Sequence, residues 1–189
     1  RLVRVAEWEA VGVYLQGTRG PGPRDHAVPK EIRPTVFLMP LELPAPPAEL
    51  VANGVAAITA EDTRWSRCDI KATALLANVL LRQLSVDAGC EETLLIRDGQ
   101  LMEGSASSGF LVKDGVILAP PKTRLILPGI TYDVALELAG REGLPCRVRP
   151  IAEAELRAAD EIWITSSTKE ILAVTRLDGR PVGDGRPGP

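Results

Sequence analysis

Arg64-Trp65-Ser66-Arg67-Cys68-Asp69-Ile70-Lys71 is the stretch on which the reading of this chain turns. It lies between Gly54-Val55-Ala56-Ala57-Ile58-Thr59, a run with strand character, and Ala72-Thr73-Ala74-Leu75-Leu76-Ala77-Asn78-Val79-Leu80-Leu81, whose apolar residues recur at helical spacing. The pattern predicts a helix over about residues 71–86, opening at the lysine. An amine held at such a junction and partly desolvated loses its preference for the charged form, which leaves more free amine to attack a carbonyl. Local sequence alone is met as well by a plain solvated lysine, so the choice rests on the rest of the chain.

The bulk properties narrow that choice. A chain of 189 residues, 45% apolar and 25% charged, has the composition of a globular protein with a sizeable core. A net charge of −3 offers no basic stripe, which argues against nucleic acid or an anionic membrane as partner and leaves an enzyme or a small-ligand binder. Cys68, Cys90 and Cys146 are scattered without metal-ligand spacing, as expected of reduced thiols in a cytoplasmic protein. No long uncharged apolar run or signal-peptide pattern is present, so neither a membrane span nor export is expected. The opening Arg1-Leu2-Val3-Arg4 lacks an initiator Met and the tail Gly183-Asp184-Gly185-Arg186-Pro187-Gly188-Pro189 is turn-rich; both suggest a piece of a longer protein.

Along the chain, residues 1–10 read as the end of a helix with Leu2, Val5 and Ala6 on one side, followed by a strand over 11–17. Residues 18–26 form a Gly- and Pro-dense loop, and Thr35-Val36-Phe37-Leu38-Met39 a second strand. The prolines between Pro40 and Pro47 mark a stiff connection, giving a small first domain over 1–43, a linker over 44–48 and a larger domain over 49–189. Asp-Gly pairs at Asp98-Gly99, Asp114-Gly115 and Asp178-Gly179 predict hairpins, joining strands over 92–96 and 100–103 and over 109–112 and 116–118. A helix from Ile130 ends at Gly143; a strand over 146–148, a short helix over 153–159 and strands over 162–164 and 171–174 follow. Hairpins mixed with separated helices indicate an α+β fold without internal repeats.

Three further stretches carry candidate chemistry. Glu103 enters Gly104-Ser105-Ala106-Ser107-Ser108-Gly109, small residues that let backbone N–H groups approach a ligand beside a carboxylate able to accept a hydrogen bond from a protonated ring nitrogen. A serine-rich turn with Glu103 in water fits the same letters. Leu127-Pro128-Gly129-Ile130-Thr131 feeds a helix whose first N–H groups, with the Thr131 hydroxyl, suit a phosphate or simply an N-cap by Thr131. Thr165-Ser166-Ser167-Thr168 offers four hydroxyls after a strand, either the other side of a phosphate cradle or a ligand-free turn.

These stretches, in this order and at this spacing, resemble the fold-type IV pyridoxal-phosphate enzymes, the family of the D-amino-acid and branched-chain aminotransferases. The resemblance runs over nearly the whole chain and implies that Lys71 bonds pyridoxal 5′-phosphate through its amine and that Glu103 partners the pyridine nitrogen. It further implies that Leu127 packs on the ring while Ile130, Thr131, Ser167 and Thr168 hold the phosphate. Tyr14-Leu15-Gln16-Gly17-Thr18-Arg19-Gly20 followed by Arg24-Asp25-His26 is similar to the segment of D-amino-acid aminotransferases in which an Arg and a His trap the substrate α-carboxylate. A guanidinium grips a carboxylate with two parallel bonds, and the single histidine adds a donor. Without the resemblance, Arg24 and His26 are exposed loop residues.

The activity so implied is transfer of the amino group of a D-amino acid resembling D-alanine to a 2-oxo acid such as 2-oxoglutarate, by a cytoplasmic homodimer. A branched-chain L-amino-acid aminotransferase and aminodeoxychorismate lyase share the fold, and an inactive cofactor-binding or oligomerisation fragment is an alternative of another class. Two features depart from the pattern: Ala72 follows the lysine where D-amino-acid members often have Ser, and Ser108-Gly109 replaces an Asn followed by an aliphatic. The resemblance also places a phosphate-clamping arginine and an aromatic pocket residue ahead of Arg1, and a further helix after Gly188.

Overall fold

A computed structural model describes residues 7–188, which fall into two compact units divided between Ala45 and Pro46. The first unit is a two-stranded antiparallel ribbon of β1 (Val11–Thr18) and β2 (Thr35–Glu42), in continuous register from Val11 opposite Glu42 to Thr18 opposite Thr35. β2 runs past the predicted end at Met39 and through Pro40, which a strand with a free edge tolerates because no ladder donor is needed there. The connecting loop closes tightly at Gly20, where φ is +94° and a Cβ would lie 1.9 Å from the Arg33 carbonyl oxygen. Residues 7–10 carry no helix; Leu2, Val5 and Ala6, on which the helical expectation rested, lie outside the described residues.

The second unit begins with α1 (Ala48–Asn53), β3 (Val55–Glu61), α2 (Leu76–Asp87), β4 (Glu92–Arg97) and β5 (Gln100–Gly104). It continues with β6 (Ser108–Lys113), β7 (Val116–Ala119), α3 (Ile130–Arg141), β8 (Cys146–Val148), α4 (Glu153–Arg157), β9 (Glu161–Ser166), β10 (Glu170–Leu177) and β11 (Arg180–Pro181). The strands form one mixed sheet in the order β5-β4-β3-β10-β9-β6-β7-β8, with β11 paired to β10. β3 is parallel to both β4 and β10, and β7 to β8; the remaining pairs are antiparallel. This is the α+β class.

Strand order and chain connectivity together force the sheet to curl. β5 and β6 are five steps apart in the sheet, roughly 24 Å if it were flat. Yet only Ser105, Ala106 and Ser107 join them, a reach of at most about 14 Å from Gly104 to Ser108. The enclosed face is filled by one side of β3, β4, β5, β6, β7, β9 and β10, including Val55, Ala57, Leu94, Leu101, Leu111, Ile162, Ile164, Leu172 and Val174, and is closed by Ile151 and Leu156. A second cluster, Phe110, Val112, Ile117 and Ala119 against Tyr132, Ala135 and Ala139, seats α3 on β6 and β7. These two cores fix the Glu103 loop and the start of α3 on one scaffold.

Two local expectations change. α2 starts at Leu76 instead of near Lys71, because the residues before it are committed elsewhere. Arg67 grips Asp69 at 2.9 and 3.0 Å, the Ile70 N–H bonds the Arg67 carbonyl at 3.1 Å, and the Asp69 N–H reaches the Arg124 carbonyl at 3.3 Å. α1, hidden in the Pro-rich connection, starts directly after Pro47, as a proline before a first turn permits. Among the described residues no helix is long and apolar enough to cross a membrane.

Candidate active site

Glu103 stands in β5 two residues after the core residue Leu101, so alternation turns both to the same face. Only 5% exposed, it accepts hydrogen bonds from Arg64 Nη1 at 2.5 Å and from the Leu127 N–H at 3.1 Å to each carboxylate oxygen. Burial raises its pKa above the ordinary carboxylate value, while Arg64 and the Leu127 N–H pull the other way. A carboxylate so placed is a hydrogen-bond acceptor and proton holder sealed from water.

Arg64 is buried with it. Its Nε and Nη2 bond the two oxygens of Asp62 at 2.8 and 3.0 Å, and Nη2 also reaches the Leu125 carbonyl at 3.2 Å. Burial works against the guanidinium charge, but Asp62 and Glu103 outweigh it and raise the Arg64 pKa. For Asp62, burial raises the pKa and the Arg64 and Arg97 contacts more than reverse that, leaving it below the usual value.

The loop after Glu103 is organised by a second buried carboxylate, Glu92, which is 0% exposed. Its Oε1 accepts from the Thr93 N–H, the Ser105 N–H and Ser105 Oγ at 2.8, 3.0 and 2.5 Å, and its Oε2 from Ser107 Oγ at 2.7 Å. Asn78 on α2 donates to the Ser105 carbonyl at 2.9 Å. The serine-rich stretch is therefore a fixed structure and not a solvated turn. Neither Glu92 nor the Asp62 and Arg97 partners of Arg64 stood out in the sequence, since their meaning depends on pairings across β3, β4 and β5.

The start of α3 lies beside this loop. Gly129 is the N-cap residue, and a Cβ there would sit 3.1 Å from Ser108 Oγ, so the helix end abuts the first residue of β6. No side chain caps α3: Thr131 is its second residue, against the N-cap expectation, because Gly129 already takes the extended conformation that a cap requires. The first-turn N–H groups, those of Ile130 and Thr131 among them, have no partner within the helix. Ser108 also pairs across the sheet with Thr165, one residue before the end of β9. Beyond that end, Ser167 and Thr168 are exposed in the β9–β10 turn, where Ser166 Oγ accepts from the Lys169 N–H at 3.2 Å and lies 3.3 Å from Thr168 Oγ1.

Lys71 is exposed in the turn between Asp69 and α2, contrary to the partial desolvation expected of it, since no described residue covers the outer side of that turn. Arg24 and His26 are exposed in the loop of the first unit, where the His26 N–H bonds Asp25 Oδ1 at 2.6 Å. The second unit thus brings together Glu103, Leu127 and the start of α3, with the Ser167-Thr168 turn at the end of the adjoining strand. Among the described residues no group of three or more His, Cys, Asp or Glu is placed to hold a metal.

A curled mixed sheet carrying a buried carboxylate beside a helix start defines a known class. The chain belongs to the class IV aminotransferase family, whose model matches residues 1–177. A D-alanine aminotransferase of Bacillus licheniformis is 42% identical over 190 residues, which takes in 100% of this chain and 66% of that protein. The chain therefore spans about two thirds of that relative's length. The branched-chain amino acid aminotransferase of Escherichia coli has the same fold, with a TM-score of 0.82 and 27% identity over 94% of this chain and 60% of its own. A T.th. branched-chain amino acid aminotransferase, solved with pyridoxamine 5′-phosphate, gives a TM-score of 0.74 and 31% identity over 82% of this chain and 52% of its own.

Proposed function

We propose that the complete protein is a pyridoxal-phosphate-dependent aminotransferase that moves the amino group of a D-amino acid resembling D-alanine to a 2-oxo acid such as 2-oxoglutarate. The observation that carries this reading is the buried Glu103 carboxylate, fixed by Arg64 and the Leu127 N–H three residues ahead of α3. The likeness to a D-alanine aminotransferase over the full chain supports the choice of substrate. The residues present suit the cofactor: a sealed acceptor for a ring N–H lies near a helix start with unpaired N–H groups, closely packed through Gly129.

When bound, the cofactor supplies an electron-accepting ring that stabilises the negative charge left on the substrate's α-carbon. Glu103 holds the proton on the ring nitrogen. Leu127 packs against the ring, while the N–H groups of Ile130 and Thr131 and the hydroxyls of Ser167 and Thr168 bind the phosphate. Lys71 would anchor the cofactor through its Nζ, and as a free amine that Nζ would take the proton from the substrate's α-carbon. Arg24 grips the substrate α-carboxylate with two donors and His26 adds a third. In this reading residues 1–43 form the end of a small domain and 49–189 the cofactor domain, in a cytoplasmic homodimer.

The fold likeness to two branched-chain aminotransferases favours an L-specific enzyme as the second reading. Offering the complete protein D-alanine, L-alanine and L-leucine with 2-oxoglutarate separates the two. Turnover of D-alanine alone is expected, and turnover of the L-substrates alone would end the D-specific assignment. Lys71→Ala is expected to abolish both turnover and the yellow colour of the reconstituted protein.

A further inference from the structure

We propose that Asp62 and Arg97 are positioning residues that fix, through the Arg64 guanidinium, the charge Glu103 presents to the nitrogen of a bound heterocyclic ring. The proposal rests on the reading of Glu103 given above and extends it to two residues outside reach of the ring. Asp62 follows the last residue of β3 and keeps that strand's ladder going by donating its N–H to the Ile96 carbonyl at 2.8 Å. Arg97 closes β4 alongside it. The two neighbouring parallel strands thereby deliver an anion and a cation to one point.

Four charges of alternating sign run inward from that point. Arg97 Nη2 lies 3.1 Å from Asp62 Oδ2 and donates to the Arg64 carbonyl at 2.8 Å. Asp62 engages Arg64 Nε and Nη2 through both oxygens, which leaves Nη1 directed at Glu103. Side-chain exposure is 17% for Arg97, 0% for Asp62, 4% for Arg64 and 7% for Glu103. The other titratable group facing this row is the buried Cys68 thiol, pushed up by burial and so held neutral.

An Arg64–Glu103 pair alone would be neutral, so the buried Asp62 has to be explained, because sealing a carboxylate costs several kcal/mol unless it is well paired. Two effects account for it. Bidentate engagement removes the rotational freedom of the guanidinium, so Nη1 meets a single Glu103 oxygen, and the other, shared only with the Leu127 N–H, keeps a lone pair for a ring proton. The Asp62 charge also offsets that of Arg64, so Glu103 remains basic enough to hold a ring proton. Arg97 in turn tempers Asp62.

The two outer residues should therefore act with opposite sign. Asp62→Asn removes a negative charge and leaves that of Arg64 uncompensated, so a ring nitrogen beside Glu103 should lose its proton about one pH unit lower than in the wild type. Arg97→Met removes a positive charge and should move the same event to higher pH. A residue that merely supports the fold would not produce opposite displacements.

The test uses the complete protein reconstituted with pyridoxal phosphate carrying 15N at the ring nitrogen, whose NMR shift reports protonation directly as pH is varied. Opposite displacements in Asp62→Asn and Arg97→Met, with Asp62→Glu close to wild type, are the expected result. Unchanged or same-direction titrations in Asp62→Asn and Arg97→Met would overturn the proposal. If Asp62→Asn fails to fold, the more exposed Arg97→Met decides alone: an upward displacement supports the relay and none refutes it. A wild type that holds a protonated ring nitrogen, lost in Glu103→Gln, keeps the functional reading whatever the outer variants do. A wild type that binds no cofactor removes both.

Discussion

Arg64 Nη1 lies 2.5 Å from Glu103 Oε1, with the two side chains 4% and 7% exposed. Neither charge has water to fall back on, so each depends on the other. Arg64→Leu should cost about 3–5 kcal/mol by stranding both Asp62 and Glu103, and Arg64→Leu/Glu103→Leu should recover only the Glu103 part of that loss in urea unfolding.

The pH dependence follows with a definite sign. Glu103 has a folded pKa raised by burial, so the native state keeps a proton that the unfolded chain has lost. Its contribution therefore declines as pH rises from the ordinary carboxylate value through the folded one. Asp62, with its pKa lowered, acts oppositely: its contribution is present above the ordinary value and lost as pH falls through the folded one. Arg64→Leu removes a contact that lowers both pKa values, so both should rise and the unfolding free energy should fall more steeply with pH above the ordinary carboxylate value than the wild type shows.

Gly104→Ala tests the serine loop. A Cβ at this position would lie 2.2 Å from Ser107 Oγ and 2.9 Å from Glu92 Cδ, so the hydroxyl must abandon its bond to Glu92. A loss of about 1–3 kcal/mol is expected in urea unfolding, part of it restored by Ser107→Gly.

At the surface, the Arg149 guanidinium and then the Ala152 N–H hold the Glu155 pKa down at about 2. A carboxyl depressed in the folded state stabilises above its unfolded value, near 4.5, and loses that effect as pH falls toward 2. The pair is largely exposed, so Glu155→Gln should cost only about 0.5 kcal/mol at pH 7 and nothing measurable at pH 2.

Phe110, 0% exposed, meets the Tyr132 ring with 4.9 Å between centroids and thereby seats the first turn of α3. Phe110→Ala should cost about 3–5 kcal/mol and, under the proposed function, weaken retention of the cofactor phosphate. Tyr132→Phe, which gives up only the 2.8 Å bond to the Pro120 carbonyl, should cost about 1 kcal/mol in the same urea titration.

Much of the second unit was legible because its turns are written in local chemistry. Asp98-Gly99, Asp114-Gly115 and Asp178-Gly179 all take positive φ at both positions, as the Asp-Gly hairpin rule requires. The start of α2 was not legible: the apolar period continues back through Ala72 and Ala74, while the Arg67–Asp69 pair, the Arg124 carbonyl and a tight Leu75 N–H to Thr73 carbonyl bond give the chain before Leu76 non-helical partners. In the site, Glu103 and the Leu127 stretch stood out as motifs, and the structure joins them by a hydrogen bond. The Asp62, Arg97 and Glu92 partners could not be anticipated, because a charged residue at a strand end reads as solvated until its neighbouring strands are known.

The parallel pairing of β3 with β10 sets an order of events during synthesis. Thr59 and Asp178, bonded at 2.8 Å, are 119 positions apart, so the strand leading to Asp62 stays open on one side until nearly the whole second unit has left the ribosome. A nascent chain paused before Glu170 would present that open edge to any other extended segment nearby.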